Sequence, residues 1–146
     1  MHSVKPSRTR QPGTVLIVDD ELDDMKLTQR VVAAVCPQHD TRWLQSGTEL
    51  IGYLKGENEF SDRTEFPYPI LILLDLRMPG MHGFDVLGWL RDHPPHNCIP
   101  VFVLTASGEV LVAQQAYALG ARSFLTKPIR AHEFQETMLT LGAYSQ

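Results

Sequence analysis

The chain has 146 residues, of which 43% are hydrophobic and 21% charged, values typical of one globular domain with a single core. The formal net charge of -4 disfavours direct nucleic-acid binding, and no apolar run reaches the roughly 18 residues of a membrane span. Cys36 and Cys98 have neither disulfide nor zinc-ligand spacing. We therefore expect a cytoplasmic protein in which both cysteines are small buried apolar residues.

Residues 1–13 contain three basic residues and no apolar group that could anchor them to a core, which predicts a disordered leader. A basic tail can contact nucleic acid or membrane, but so few charges at a terminus are usually solvated, and we assign it no function. The folded domain is then expected to span 14–146.

From Thr14 onward, short apolar runs alternate with amphipathic stretches, a pattern typical of a parallel sheet covered by helices on both faces. The predicted strands are 15–18, 41–44, 70–74, 101–104 and a short one around 124–125. The predicted helices follow Asp20, begin at Ser46 or Thr48, span 83–92, begin at Ser107 or Gly108, and follow Ile129.

Apolar spacing also predicts which helix faces are buried. On the first helix these residues are Leu27, Val31, Ala34 and Val35. The fourth helix carries the apolar residues Val110, Ala113, Tyr117 and Ala118. Gly120 is placed to end the fourth helix. The polar connection 56–69 is longer than most and is interpreted as variable surface.

Polar residues follow four of the five predicted strands. Asp19 and Asp20 follow the first strand, Asp75 the third, Thr105 the fourth and Lys127 the fifth. The carboxyl ends of strands line the ligand crevice of an open α/β sheet, so these side chains should converge. Adjacent carboxylates repel each other, and a hard divalent cation such as Mg²⁺, which prefers oxygen ligands, would relieve that repulsion.

The same residues predict phosphoryl chemistry. Asp75, at the end of the most apolar strand, is the candidate nucleophile that would form an aspartyl phosphate. Thr105 could donate a hydrogen bond to a phosphoryl oxygen, and Lys127 could offset the charge that develops in transfer. Each residue alone has an ordinary explanation, such as a turn or a strand-end hydrogen bond. Their occurrence together favours a functional site.

Four segments carry a family resemblance. Val-Asp-Asp-Glu at 18–21, Leu-Leu-Asp-Leu-Arg-Met-Pro-Gly-Met-His-Gly at 73–83, Leu-Thr-Ala-Ser at 104–107 and Gly-Ala-Arg-Ser-Phe-Leu-Thr-Lys-Pro at 120–128 occur in order. Together they resemble the receiver domain of two-component response regulators. The resemblance implies a flavodoxin-like (βα)5 fold, a doubly wound α/β sheet of five parallel strands in the order 2-1-3-4-5.

The resemblance also implies an activity and a ligand set. Asp75 would take a phosphoryl group from a sensor histidine kinase or a histidine phosphotransfer protein. Mg²⁺ would be held by Asp19, Asp20, Asp75 and the backbone carbonyl of Arg77. Such a domain is a phosphoryl acceptor that catalyses its own phosphorylation and dephosphorylation, and it is not an enzyme acting on a separate substrate.

A conformational switch is implied as well. Thr105 and Phe124 would be the switch pair, and the output face would be formed by the fourth helix, fifth strand and fifth helix. That face lies around Val110, Gln114, Tyr117, Phe124 and Ala131. We expect a single-domain regulator that signals to a downstream protein, with homodimerisation through this face. The sequence further resembles standalone receivers encoded with phytochrome-type or hybrid histidine kinases.

Some positions depart from the common pattern or leave alternatives open. Arg77 and Ser107 would flank the phosphoryl group and affect its hydrolysis, His82 stands where Asp is frequent, and Phe124 replaces the frequent Tyr. One alternative is a receiver that does not switch and serves only as a binding module. Another is an aspartyl-phosphate phosphatase, which is disfavoured because Arg77 stands where such enzymes usually place a second acid.

Overall fold

The computed structural model describes residues 12–78, 81–106 and 110–145, which form one parallel sheet between two layers of helices. The strands are β1 (Thr14–Val18), β2 (Asp40–Leu44), β3 (Leu71–Asp75), β4 (Val101–Thr105) and β5 (Ser123–Thr126). The helices are α1 (Leu22–Val35), α2 (Gly47–Lys55), α3 (Gly83–Arg91), α4 (Val110–Ala118) and α5 (Ala131–Ser145). The sheet order is β2-β1-β3-β4-β5, which confirms the predicted doubly wound fold.

The core is divided by the sheet into two clusters because successive strand residues point to opposite faces. In β3, Ile72 and Leu74 belong to the cluster under α2, α3 and α4, whereas Leu71 and Leu73 belong to the cluster under α1 and α5. Both faces of the central strands are therefore buried. This explains why they appear in the sequence as continuous apolar runs.

Local signals fix the ends of α2 and α4. The side chain of Ser46 accepts a hydrogen bond from the backbone N–H of Glu49 at 3.1 Å, which confirms Ser46 as the N-cap of α2. Gly120, with a φ of 104°, follows α4 in a conformation that favours glycine, as predicted. The predicted start of α4 at Ser107 or Gly108 lies outside the described residues.

The predicted buried face of α1 is partly wrong. Met25, Thr28 and Val32 are the buried residues of this helix. Leu27 is 46% exposed and Ala34 is also exposed. The helix carries apolar residues on more than one side, so apolar spacing alone selected a stripe rotated away from the sheet.

Most of the apolar residues noted on the fourth helix are exposed in α4. Ala116 is buried, Ala113 is half-buried, and Tyr117 and Ala118 are exposed. Val110, at the start of the described helix, is 69% exposed. The helix therefore packs on the core through Ala116 and the half-buried Val112, and it leaves Val110, Leu111 and Tyr117 exposed.

The connection 56–69 is not simply variable surface. It contains a short 3-10 helix, Asn58–Phe60, in which Phe60 is buried. The rings of Phe60 and Phe66 contact each other and Tyr53 of α2 at centroid distances of 5.1 to 6.0 Å. These aromatic contacts attach the connection to the core.

Two findings concern expectations drawn from composition. Cys36 is buried, as expected, but Cys98 is exposed, because it lies in a surface 3-10 turn, His96–Cys98, rather than in a strand or helix core. None of the helices in the described parts of the chain is both long and apolar enough to cross a membrane. Residues 1–11 of the predicted leader at 1–13 lie outside the described residues, while Gly13, at its end, donates its backbone N–H to Nδ1 of His39.

Candidate functional site

The strand ends converge at the carboxyl edge of the sheet. Asp75 is the last residue of β3 and pairs with Leu104, while Thr105 ends β4 and pairs with Thr126. The backbone N–H of Lys127 donates to the carbonyl oxygen of Thr105 at 2.7 Å, so Lys127 leaves β5 at the same level. Parallel pairing in this register therefore brings the predicted site residues to one edge.

Three carboxylates meet at this edge. One oxygen each from Asp19, Asp20 and Asp75 lies within 4.8 Å of the other two. Asp19 and Asp75 are buried. A dense group of anionic oxygens without histidine or cysteine suits a hard divalent cation, and the residues present therefore fit a magnesium-type site.

Asp19 is held from several directions. Its Oδ1 accepts a hydrogen bond from the backbone N–H of Glu21 at 2.9 Å, and its own backbone N–H donates to the carbonyl oxygen of Leu44 at 3.0 Å. The indole N–H of Trp43 donates to the Asp19 carbonyl oxygen at 2.7 Å. These contacts to β2 and to the start of α1 fix Asp19, and no sequence pattern indicated the role of Trp43.

Asp75 has a different partner on each carboxylate oxygen. Oδ1 accepts a hydrogen bond from the backbone N–H of Arg77 at 3.0 Å, and Oδ2 lies 3.2 Å from Nζ of Lys127. Burial raises the pKa of the Asp75 carboxyl, the Asp19 charge raises it further, and the contacts with Arg77 and Lys127 oppose the rise. Burial thus makes the ionised form of Asp75 less stable, relative to its neutral form, than in an ordinary surface aspartate.

The ammonium group of Lys127 pairs with three carboxylates. Its Nζ lies 2.9 Å from Oδ2 of Asp19, 2.9 Å from Oδ2 of Asp24 and 3.2 Å from Oδ2 of Asp75. Burial by itself would lower the pKa of Lys127, but the three carboxylates more than offset it and the pKa rises above its usual value. The Lys127–Pro128 peptide bond is cis.

Asp24 is a member of the site that sequence analysis missed. It lies in the first turn of α1, where acidic residues commonly favour the positive end of the helix dipole. The spacing between Asp20 and Asp24 could have indicated this role, because Asp24 lies four residues after Asp20 and hence near the same strand end.

Thr105, Phe124 and His82 are further predicted residues that the structure describes. Thr105 is buried at the end of β4. Phe124 of β5 pairs with Val103 and is half-buried, with its ring against the cluster under α4. His82 is exposed, and its backbone N–H donates to Oδ2 of Asp85 at 3.3 Å. Ser107 lies outside the described residues.

A family model, described as the response regulator receiver domain, matches residues 15–139. This match spans the five strands except for Thr14, the first residue of β1, and it includes Asp19, Asp20, Asp75, Thr105 and Lys127. The chain belongs to the response regulator receiver domain family. That membership agrees with the sheet order and with the resemblance carried by the sequence motifs.

Individual relatives support the same assignment. Response regulator Rcp1 of Synechocystis sp. is 33% identical over 116 residues, which cover 80% of this chain and 77% of the relative. The crystal structure of response regulator RPA3017 in red light signaling of R. palustris superposes with a TM-score of 0.77 at 30% identity, covering 90% of this chain and 92% of that one. The Mn²⁺-bound form of Rcp1 gives a TM-score of 0.72 at 28% identity, with 91% and 94% covered.

Proposed function

We propose that this receiver domain accepts a phosphoryl group on Asp75 from a phosphohistidine of a sensor histidine kinase or phosphotransfer protein. The observation that carries the proposal is the setting of Asp75, a buried carboxylate between an acidic pair and a lysine ammonium. A carboxylate in such a setting can act as a nucleophile, while the nearby cation offsets the charge that the incoming group brings.

The transfer is a displacement at phosphorus. A carboxylate oxygen of Asp75 forms a bond to phosphorus while the phosphorus–nitrogen bond of the phosphohistidine breaks. The electron pair of that bond returns to the imidazole nitrogen, which takes up a proton as needed, and Asp75 becomes an acyl phosphate. Lys127 would contact one phosphoryl oxygen, and the hydroxyl of Thr105 would donate a hydrogen bond to another. Hydrolysis of the acyl phosphate by water would restore the carboxylate.

The acidic cluster would hold Mg²⁺ through Asp19, Asp20, Asp75 and the backbone carbonyl of Arg77. Its all-oxygen donors and excess negative charge support this choice. When bound, the ion would neutralise negative charge on the phosphoryl oxygens. The Mn²⁺-bound form of Rcp1, a relative of this fold that takes up a divalent cation, supports the proposal.

Phosphorylation would act as a switch through Thr105 and Phe124. The Thr105 hydroxyl would move toward the phosphoryl group, and the half-buried Phe124 ring would turn inward. The phosphoryl group shifts the population only by its stronger interaction with the active arrangement. The output would be a changed surface of α4, β5 and α5 that a downstream protein binds.

A phytochrome-type histidine kinase is the partner class that we propose. The supporting observation is that the R. palustris relative acts in red light signaling. The other source of phosphoryl groups, a histidine phosphotransfer protein, presents the same phosphoimidazole to Asp75.

Intact mass after incubation with acetyl phosphate and Mg²⁺ tests the proposal. We expect a gain of one phosphoryl group, its loss in Asp75→Asn, and its absence when the metal is removed with a chelator. Asp23→Asn is the control, since Asp23 is an exposed carboxylate in the first turn of α1 and should leave acceptance intact. Equal phosphorylation of Asp75→Asn would overturn the assignment of the acceptor.

A further inference from the structure

The three carboxylates around Lys127 differ in their exposure to solvent. The side chain of Asp24 is 46% exposed, whereas those of Asp19 and Asp75 are 1% and 6% exposed. The Lys127 side chain itself is only 11% exposed. Asp24 therefore covers the ammonium on its solvent side, and the other two contact it from within the protein.

An ammonium group has three N–H donors, and Lys127 has three carboxylate partners within 3.2 Å. Phosphorylation of Asp75 adds phosphoryl oxygens that also need this cation. Asp19 is constrained because its second oxygen is held by the Glu21 backbone N–H. Asp24 can turn toward water at little expense, since nearly half of its side chain is already solvated.

We propose that Asp24 is an exchangeable counter-ion of Lys127, which holds the ammonium in the unphosphorylated protein and competes with the phosphoryl group for it. This inference rests on the proposed acceptance of a phosphoryl group by Asp75. Asp24 is a positioning residue, because it acts through Lys127 and does not touch the transferred group. It sets the balance between the phosphorylated and unphosphorylated forms.

Charge gives the sign of the effect. The Asp24 carboxylate stabilises the ammonium only while no phosphoryl oxygen has replaced it, and it repels a dianionic group bound beside Lys127. Both contributions favour the unphosphorylated form. Because Asp24 is largely solvated, the effect should be modest and should weaken as salt screens it.

The test is the affinity for beryllofluoride, a mimic of the phosphoryl group on aspartate, measured by calorimetry at saturating Mg²⁺. Asp24→Asn removes the negative charge while keeping the side-chain shape. We expect its dissociation constant to fall about three-fold, the size of an exposed ion pair. The increase in beryllofluoride affinity should become smaller between about 0.1 M and about 1 M salt, where the screening length falls from roughly 10 to 3 Å.

Two further variants make the result specific. Asp24→Glu retains the charge and should bind beryllofluoride nearly as the natural protein does. Asp23→Asn removes the same charge one residue away, from an exposed carboxylate that, among the described residues, does not pair with Lys127, and should change the affinity much less. Thermal unfolding of each variant verifies that all are folded before the affinities are compared.

Several outcomes would overturn the inference. A weaker affinity in Asp24→Asn would mean that Asp24 supports the binding geometry of Lys127 rather than competing for it. Equal gains in Asp24→Asn and Asp23→Asn would indicate a general effect of net charge. Failure of the proposed function is distinguishable, because the unaltered protein would then bind no beryllofluoride and gain no mass with acetyl phosphate.

Discussion

Asp75 must be both buried and negatively charged if it is to act as a nucleophile, and these requirements oppose each other. Its position at the end of β3 removes it from water, next to Asp19, with Lys127 and one backbone N–H as compensation. The raised pKa of the carboxyl shows that the compensation is incomplete. The Asp75 side chain therefore lowers the stability of the folded protein at neutral pH.

Asp75→Asn should stabilise the metal-free protein at pH 7, by on the order of 1 kcal/mol in the free energy of unfolding. A carboxyl whose pKa is raised on folding contributes stability below its unfolded-state pKa, and this contribution is lost as the pH rises through the folded-state pKa. The advantage of the variant should therefore grow from acidic to neutral pH. Lys127 would keep Asp19 and Asp24 as partners.

Urea unfolding at several pH values without divalent ions measures this difference. Asp23→Asn serves again as the control and should show no comparable gain at neutral pH, because Asp23 is exposed. An Asp75→Asn variant that is less stable than the natural protein at pH 7 would show that the ion pair with Lys127 outweighs the penalty of burial.

At the level of elements, the start of α3 is packed tightly against the end of β3. Gly83 has no side chain, and a Cβ there would lie 2.6 Å from the Leu76 Cα and 3.0 Å from the Asp75 carbonyl oxygen. The backbone N–H of Gly83 also donates to the Leu76 carbonyl oxygen at 3.2 Å. The helix thus approaches the residue after Asp75 at a distance that only glycine permits.

Gly83→Ala should destabilise the domain by about 2 kcal/mol, because backbone atoms must move to accept the methyl group. Gly88→Ala is the matched control in the same helix, since nothing lies within 4 Å of a Cβ at that position. There, alanine should raise the free energy of unfolding by up to about 1 kcal/mol through better helix propensity. Urea unfolding compares the two, and changes of the same sign would contradict the packing argument.

Sequence patterns predicted the positions of strands and helices better than they predicted which helix faces are buried. Continuous apolar runs predicted the central strands because both sides of those strands are buried. Ser46 and Gly120 predicted helix ends, because each residue type favours a particular local backbone arrangement. In α1, however, Thr28 is buried and Leu27 is half-exposed. Which of two apolar stripes is buried depends on how the helix packs on the sheet. The spacing of apolar residues in the sequence does not specify that packing.

The residues of the candidate site were likewise only partly predictable from the sequence. Residues at strand ends were predictable, because parallel strands carry their carboxyl ends to one edge. Asp24 was not singled out, since an acidic residue in a first helical turn has an ordinary explanation in the helix dipole. Trp43 was missed because its role is a side-chain bond to the Asp19 backbone, which leaves no mark in sequence spacing.

Across the whole molecule, the most exposed large apolar side chains of the described helices lie on α4 and on α5, where Leu139 is 67% exposed. On α4, Leu111 is 73% exposed and Val110 69%, while α1 leaves Leu27 46% exposed. The apolar surface of α4 lies next to β5, the strand that carries Phe124 into the core. A movement of that ring would therefore occur beside a surface suited to binding another protein.

We predict that beryllofluoride and Mg²⁺ promote self-association of the domain through α4, β5 and α5. Leu111→Glu should abolish the effect, because burying a charge in an apolar interface is unfavourable. Leu27→Glu, on α1, is the control and should associate as the natural protein does. Light scattering with and without beryllofluoride measures the mass, and unchanged association of Leu111→Glu would exclude this face.

The hydrogen bond from the Trp43 indole to the Asp19 carbonyl oxygen gives the acceptor edge a built-in optical probe. Indole emission depends on the local electric field, and a divalent cation bound at the proposed site would change that field at Asp19, the residue whose carbonyl oxygen the indole contacts. The second tryptophan, Trp89, stacks on His93 and His96 elsewhere on the molecule. Replacing Trp89 with phenylalanine would leave a chain whose fluorescence follows ion loading directly, in real time and without a label.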